Sequence, residues 1–164
     1  MKFNSVKEYF LKLNNTGYQL MMVPLILFIY FYTQSYFYDS QPLIEPLKGD
    51  YLLLILIGLS VVVLTIVQIK SVKKANRIAL EVGLGIKLEK LGSVLIARMI
   101  WKAAITLLMP LGLVVTGNQL FSVLFSITVA WFFLQWPTPS RVSELLKLRG
   151  DEREMVLSKG EAFK

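Results

Sequence analysis

Apolar residues in this chain are concentrated in four long runs, separated by short polar segments. An α-helix rises 1.5 Å per residue, so about 20 apolar residues carry it across about 30 Å of hydrocarbon. Each run approaches or exceeds that length; the runs are 18–38, 51–69, 94–116 and 119–136. The pattern predicts an all-α membrane protein whose four transmembrane helices form an antiparallel bundle.

The positive charges alternate with these runs. Seventeen of the eighteen Lys and Arg residues lie before the first run, between the second and third (reaching into the start of the third) or after the fourth; only Lys48 breaks the pattern. Lys and Arg are enriched on the cytoplasmic side of membrane proteins. The distribution therefore predicts cytoplasmic termini, a cytoplasmic connection 70–92 and an external loop 39–50. The expected location is the bacterial cytoplasmic (inner) membrane.

The residues before the first run have one apolar helical face. Its members recur at spacings of three and four; they are Phe3, Val6, Phe10 and Leu13. This spacing predicts an amphipathic N-terminal helix lying in the cytoplasmic interface, with its lysines toward the headgroups. A frayed terminus is the alternative.

The second run has no evident helix stop at its cytoplasmic end. Residues 70–81 contain good helix formers and neither Pro nor Gly, so the helix is expected to continue until the glycines at 83 and 85. Residues 86–91 predict a short amphipathic return, with Gly92 as a joint before the third span. Together these segments predict a protruding cytoplasmic helical hairpin.

The third and fourth runs are joined by the tightest connection in the chain. Gly117 suits the left-handed residue that ends one helix, and Asn118 suits the N-cap of the next. The two spans are therefore expected to form an antiparallel helical hairpin.

The end of the chain predicts a helical tail. Thr138 followed by Pro139 is typical of a helix start, and that helix is expected to reach about Arg149. Asp151 is expected to begin a further short helix. The chain is thus predicted to divide into a four-helix transmembrane domain, 1–136, and a cytoplasmic helical tail, 137–164.

Prolines and small residues within the runs predict local features of the spans. Pro24 and Pro110 each remove a backbone donor inside a helix, which predicts a kink. Small residues permit close approach of two helices, of this chain or of another chain. They are Ser122, Ser126 and Ala130, four residues apart in the fourth run, and Gly58 in the second.

Arg98 and Lys102 are the two formal charges within the runs. They lie four residues apart, and therefore on one face of the third helix. One interpretation is snorkelling, in which both side chains reach the headgroups and Trp101 marks the interface. The other is an anion-facing pair that contacts a lipid phosphate, an anionic substrate or a partner's carboxylate.

Composition excludes several classes of function. Hydrophobic residues form 55% of the chain and the mean hydropathy is +0.58, more apolar than an ordinary soluble domain. The net charge is +7, and the basic residues that produce it flank the apolar runs. This position favours contact with anionic headgroups over nucleic acid binding. Without Cys or His there is no disulfide, thiolate or imidazole metal site, or His general base. No metal site or cofactor is predicted.

Acid–base residues are confined to the loops and tail, and no phosphate-binding loop is present. The sequence therefore predicts a protein without catalytic activity. The leading hypothesis is a small accessory subunit that binds other membrane-protein subunits, or a second copy of itself, in an anionic bilayer. The alternative is an oligomeric transporter or channel.

Overall fold

The computed structural model of the protein describes residues 3–37 and 46–160. Within these two ranges the regular structure is helical and no strand occurs. The helices are α1 (Val6–Phe37), α2 (Pro46–Ile78), α3 (Leu84–Thr116), α4 (Leu120–Leu134), α5 (Pro139–Leu145) and α6 (Gly150–Leu157). The all-α class is therefore confirmed.

Three helical segments are long and apolar enough to cross a membrane: Val6–Ser35, Asp50–Ile78 and Leu84–Thr116. A fourth crossing is added if α4 and α5, which form a bent pair, are counted as one broken span. These lengths are consistent with an integral membrane protein.

The three long helices extend beyond the predicted spans. The predicted N-terminal amphipathic helix is not a separate element, because α1 runs without a break from Val6 to Phe37. The predicted joint at Gly92 is also absent, since α3 is continuous from Leu84 to Thr116. Gly92 is buried, and a single glycine inside a long helix costs only about 1 kcal/mol, which packing offsets.

The hairpin between α2 and α3 is shorter than predicted. Helix α2 ends at Ile78 rather than near Gly83, and five residues connect it to Leu84. Gly83 has a positive φ of +93°, a backbone conformation that favours glycine.

The turn after α3 and the start of α5 agree with the sequence predictions, but the end of α5 does not. Gly117 has a φ of +65°, and its N–H donates to the carbonyl of Leu113, as predicted for the end of α3. Thr138 caps α5 with Pro139 as the first helical residue, also as predicted. The prediction that this helix reaches Arg149 is wrong, because α5 ends at Leu145.

Pro24 and Pro110 are both buried inside continuous helices, and the kinks expected at them stay a prediction. Residues 38–45, which include most of the predicted external loop 39–50, lie outside the described ranges.

The chain forms two compact units, which divide it differently from the predicted domains. We call Met1–Tyr18, Val67–Met99 and Trp136–Lys164 the charged unit, because it holds 16 of the 18 Lys and Arg residues and 8 of the 11 Asp and Glu residues. We call Gln19–Ile66 and Ile100–Gln135 the apolar unit.

The charged unit has its own hydrophobic core. The first turns of α1, the hairpin ends of α2 and α3, and the tail all contribute side chains that are almost fully buried. They include Tyr9, Leu13, Ala75, Leu88, Leu91, Leu95, Val142, Leu146 and Val156. The tail is therefore part of this packed unit.

The tail is also connected to the rest of the charged unit by polar contacts. Lys87 at the start of α3 forms an ion pair with Glu152 of α6, with 2.8 Å between Nζ and Oε2. The lysine side chain is largely buried, so solvent screens this pair less than an exposed one.

The apolar unit is packed around aliphatic and aromatic side chains from α2, α3 and α4. They are Leu53, Ile105, Met109, Leu113, Phe121 and Phe125. The rings of Phe28 and Phe125 stack with centroids 4.0 Å apart. At the turn after α3, the side chain of Asn118 donates to Asp50 at 3.0 Å and accepts from the N–H of Leu120 at 2.9 Å.

Candidate functional site

Lys102 lies inside the apolar unit, with only 6% of its surface exposed. Its ammonium group donates a hydrogen bond to the side-chain carbonyl of Gln135, at the end of α4. Thr106, also buried, donates through its hydroxyl to the backbone carbonyl of Lys102 at 2.9 Å. A buried cation costs free energy unless polar groups solvate it, so this acceptor stabilises the charge.

Arg98 lies in the charged unit and is 7% exposed. The positive charge of Arg141, an exposed residue of α5, acts on it. Arg141 also donates from Nη1 to the backbone carbonyl of Trp136 at 3.5 Å. Two guanidinium groups therefore share this part of the charged unit.

These positions differ from what snorkelling predicts. A snorkelling side chain extends to the headgroups, whereas Arg98 and Lys102 are each buried among protein side chains. Trp101, between them, is exposed, which fits an interface marker. An anionic ligand for either cation stays a prediction, and burial requires such a ligand to enter the protein.

Of the predicted small-residue packing positions, Ser122 has its hydroxyl oxygen buried within the chain, whereas the other three positions are exposed in the described structure. Gly58 is exposed, and a Cβ built on it has no neighbour within 4 Å. Ser126 and Ala130 are exposed as well, and Ser122 is half-buried. Packing of this face against another chain stays a prediction.

A contact that the sequence did not reveal joins the N-terminal turns of α1 to the tail. The indole N–H of Trp136 donates to the side-chain oxygen of Asn14 at 2.9 Å. The ring lies against Tyr18, with centroids 4.8 Å apart, and a Cβ built on Gly17 would approach the indole Cη2 to 2.7 Å. We call Asn14, Gly17, Tyr18 and Trp136 the tryptophan clasp.

A second unpredicted feature lies at the α2–α3 connection. Leu80 is 85% exposed and Val82 is 88% exposed, while Glu81 between them forms an ion pair with Lys90 at 2.5 Å. The available signal was two apolar residues inside a charged segment beside Gly83. We call Ala79–Gly83 the hairpin tip.

No group of His, Cys, Asp and Glu side chains that could hold a metal ion occurs in residues 3–37 and 46–160. No protein-family model, curated protein or solved structure matches the chain significantly. Function therefore has to be inferred from the two units and their surfaces.

The hydrogen bond between Lys102 and Gln135 leads to a prediction for a double-mutant cycle. Gln135→Leu removes this acceptor from a buried cation and is expected to lower the free energy of unfolding by about 1–3 kcal/mol. Lys102→Met in the same chain should recover most of that loss, because replacing both polar partners by apolar groups is close to neutral. Thermal unfolding in detergent measures the stability of the unaltered chain, the two single variants and the double variant. Additive effects of the two substitutions would show that the pair is not coupled.

Proposed function

We propose that the protein crosses the membrane four times as an antiparallel bundle, with both termini and the α2–α3 connection in the cytoplasm. The main support is the set of chain segments that pack together in the charged unit. The chain before the first span, the α2–α3 connection and the tail after α4 all belong to this one compact unit. Segments that pack together lie on one side of the bilayer, which requires an even number of crossings.

The charge distribution supports the same topology, and the short length of α4 is compatible with it. The charged unit carries twice as many basic as acidic residues, as expected for a cytoplasmic region. Helix α4 has 15 residues, which rise about 22 Å and fall short of the hydrocarbon thickness. Its apolar run extends to 119–136, and local thinning of the bilayer accommodates the remaining mismatch.

Cysteine labelling tests this topology, since the chain has no native cysteine. An impermeant maleimide applied to intact cells is expected to label Ser40→Cys and to leave Ser71→Cys and Ser140→Cys unlabelled until the membrane is opened. Three crossings would place Ser140→Cys on the same side as Ser40→Cys. Labelling of Ser71→Cys in intact cells would invert the whole assignment.

We further propose that the protein is a non-catalytic accessory subunit of a larger membrane complex. The observation that carries this proposal is the hairpin tip, which presents two exposed apolar side chains from a packed charged unit. Neighbouring large apolar side chains that are exposed together on an ordered turn form an apolar patch, and such patches are typical of interaction surfaces.

The interior of the apolar unit favours this proposal over transport by one copy of the chain. Its central cluster consists of Leu, Ile, Met and Phe side chains, which offer an ion or polar solute no ligands. The buried polar side chains Lys102 and Thr106 of this unit are engaged in hydrogen bonds within the chain. A transport path would therefore have to form between several copies.

Purification from native membranes in mild detergent tests the accessory role. Unrelated subunits are expected to co-purify with the chain at fixed stoichiometry. A symmetric homo-oligomer that conducts solute in liposomes would replace the proposal with a transporter or channel. A chain recovered alone would also contradict it.

A further inference from the structure

The hairpin tip combines exposure with order. Leu80 and Val82 are the most exposed large hydrophobic residues in the described part of the chain, and Ile86, on the first turn of α3, is half exposed. The backbone N–H groups of Leu80 and Glu81 donate to the carbonyls of Arg77 and Ile78 at 3.2 and 3.1 Å. The two apolar side chains are therefore held on a hydrogen-bonded turn.

The charged residue of the tip is already neutralised. Glu81 points back to Lys90 of α3, while Ile78 below it is buried. The ion pair leaves Leu80 and Val82 on the outer surface of the turn. A surface of this kind buries apolar area on docking with little loss of conformational entropy.

A basic surface lies next to the tip on α2. Its residues follow the spacing i, i+3, i+4 and i+7, so they share one helical face. They are Lys70, Lys73, Lys74 and Arg77, all exposed and none in an ion pair with a described residue. We call them the basic face. It gives the tip a positive field that favours an acidic partner.

The length of α2 separates the tip from its own bilayer. The apolar residues 51–69 match the hydrocarbon thickness, so a strong tilt is not required. From residue 69 to the end of α2 at Ile78 the helix rises about 14 Å, whereas one headgroup layer is about 5–8 Å thick. The tip therefore projects beyond the lipid surface.

We propose that the hairpin tip inserts Leu80 and Val82 into an apolar pocket with an acidic rim on a cytoplasmic surface of a protein partner. The basic face contacts the rim. This inference rests on the proposed accessory role, and it names the docking surface and the chemistry of the partner.

Site-specific photocrosslinking tests the docking. Benzoylphenylalanine replaces Val82 in the full chain, and native membranes are irradiated. One protein adduct is expected, whose crosslinked peptide comes from an acidic surface. Its yield should fall at least tenfold with Leu80→Ser, because one buried apolar side chain contributes roughly a factor of ten in Kd.

Charge reversal and a matched control make the test specific. Lys73→Glu with Lys74→Glu should lower the adduct yield at least tenfold at low salt, since the reversed charges repel an acidic rim. Leu157→Ser, which removes an exposed apolar side chain from α6 of the same unit, should leave the yield unchanged. An adduct with a second copy of the chain, or one insensitive to both tip and charge variants, overturns the proposal.

Insertion of the hairpin tip into the bilayer is the alternative, and fluorescence quenching measures it in a separate experiment. Val82→Cys carries a bimane fluorophore in vesicles of phosphatidylcholine and phosphatidylglycerol that contain brominated lipid. No quenching is expected, and quenching would show that the tip enters the bilayer.

Failure of the accessory role can be distinguished from failure of the proposed docking surface. If purification of the unaltered chain yields no unrelated subunit, the accessory role fails. If subunits are recovered equally with Leu80→Ser and Val82→Ser together, the accessory role stands and the docking surface is wrong.

Discussion

Gly112→Ala is expected to lower the free energy of unfolding by about 1–3 kcal/mol, because it forces a methyl group into a filled space. A Cβ built on Gly112 meets the ring of Phe121, with Cδ1 only 2.7 Å away. Phe121 is fully buried in the core of the apolar unit and has little freedom to move. Reversible unfolding in mixed micelles measures the loss.

Gly58→Ala is the matched control for this substitution. Both glycines lie inside long helices, but Gly58 faces open space. Alanine there removes the entropic cost of glycine, and a gain of about 0.4–1 kcal/mol is expected. Equal destabilisation by the two variants would contradict the packing of α4 against Gly112.

Trp136→Ala is expected to release the N-terminal turns of α1 from the tail and to cost about 2–4 kcal/mol. It removes the hydrogen bond to Asn14, the ring contact with Tyr18 and the surface that fills the space at Gly17. Hydrogen exchange read by mass spectrometry should show lost protection in residues 6–18 and 139–157.

Trp131→Ala provides the comparison, because Trp131 is exposed and makes no part of the tryptophan clasp. It should change stability by about 0.5 kcal/mol or less and leave the exchange of both segments unaltered. If Trp136→Ala behaves in the same way, the tryptophan clasp does not hold the tail.

Features set by a few neighbouring residues could be predicted from the sequence. Gly117 adopts the left-handed conformation and Thr138 caps α5, because the physical reasons act within one turn of chain. Gly92 shows the limit of this reasoning. The sequence predicts a joint there before the third span, but α3 is continuous through Gly92, because packing decides its conformation and packing is not a local property.

The surroundings of the two cations could not be predicted for the same reason. The sequence placed Arg98 and Lys102 on one helical face. Their burial depends on side chains far along the chain, such as Gln135 on α4 for the lysine. The tryptophan clasp likewise joins positions 122 residues apart. Such contacts depend on how helices meet, which periodicity along one helix does not contain.

The tight turn between α3 and α4 has a consequence for biogenesis in the proposed topology. The residues between Thr116 and Leu120 carry no formal charge, and Asn118 already satisfies the N–H of Leu120. Moving them through the bilayer therefore dehydrates no charged group and costs less free energy than moving a charged loop. The segment 39–50, with three acidic residues and one lysine, requires much more. The second pair of helices can thus enter the bilayer together as a preformed hairpin, while the first pair depends on the translocation machinery.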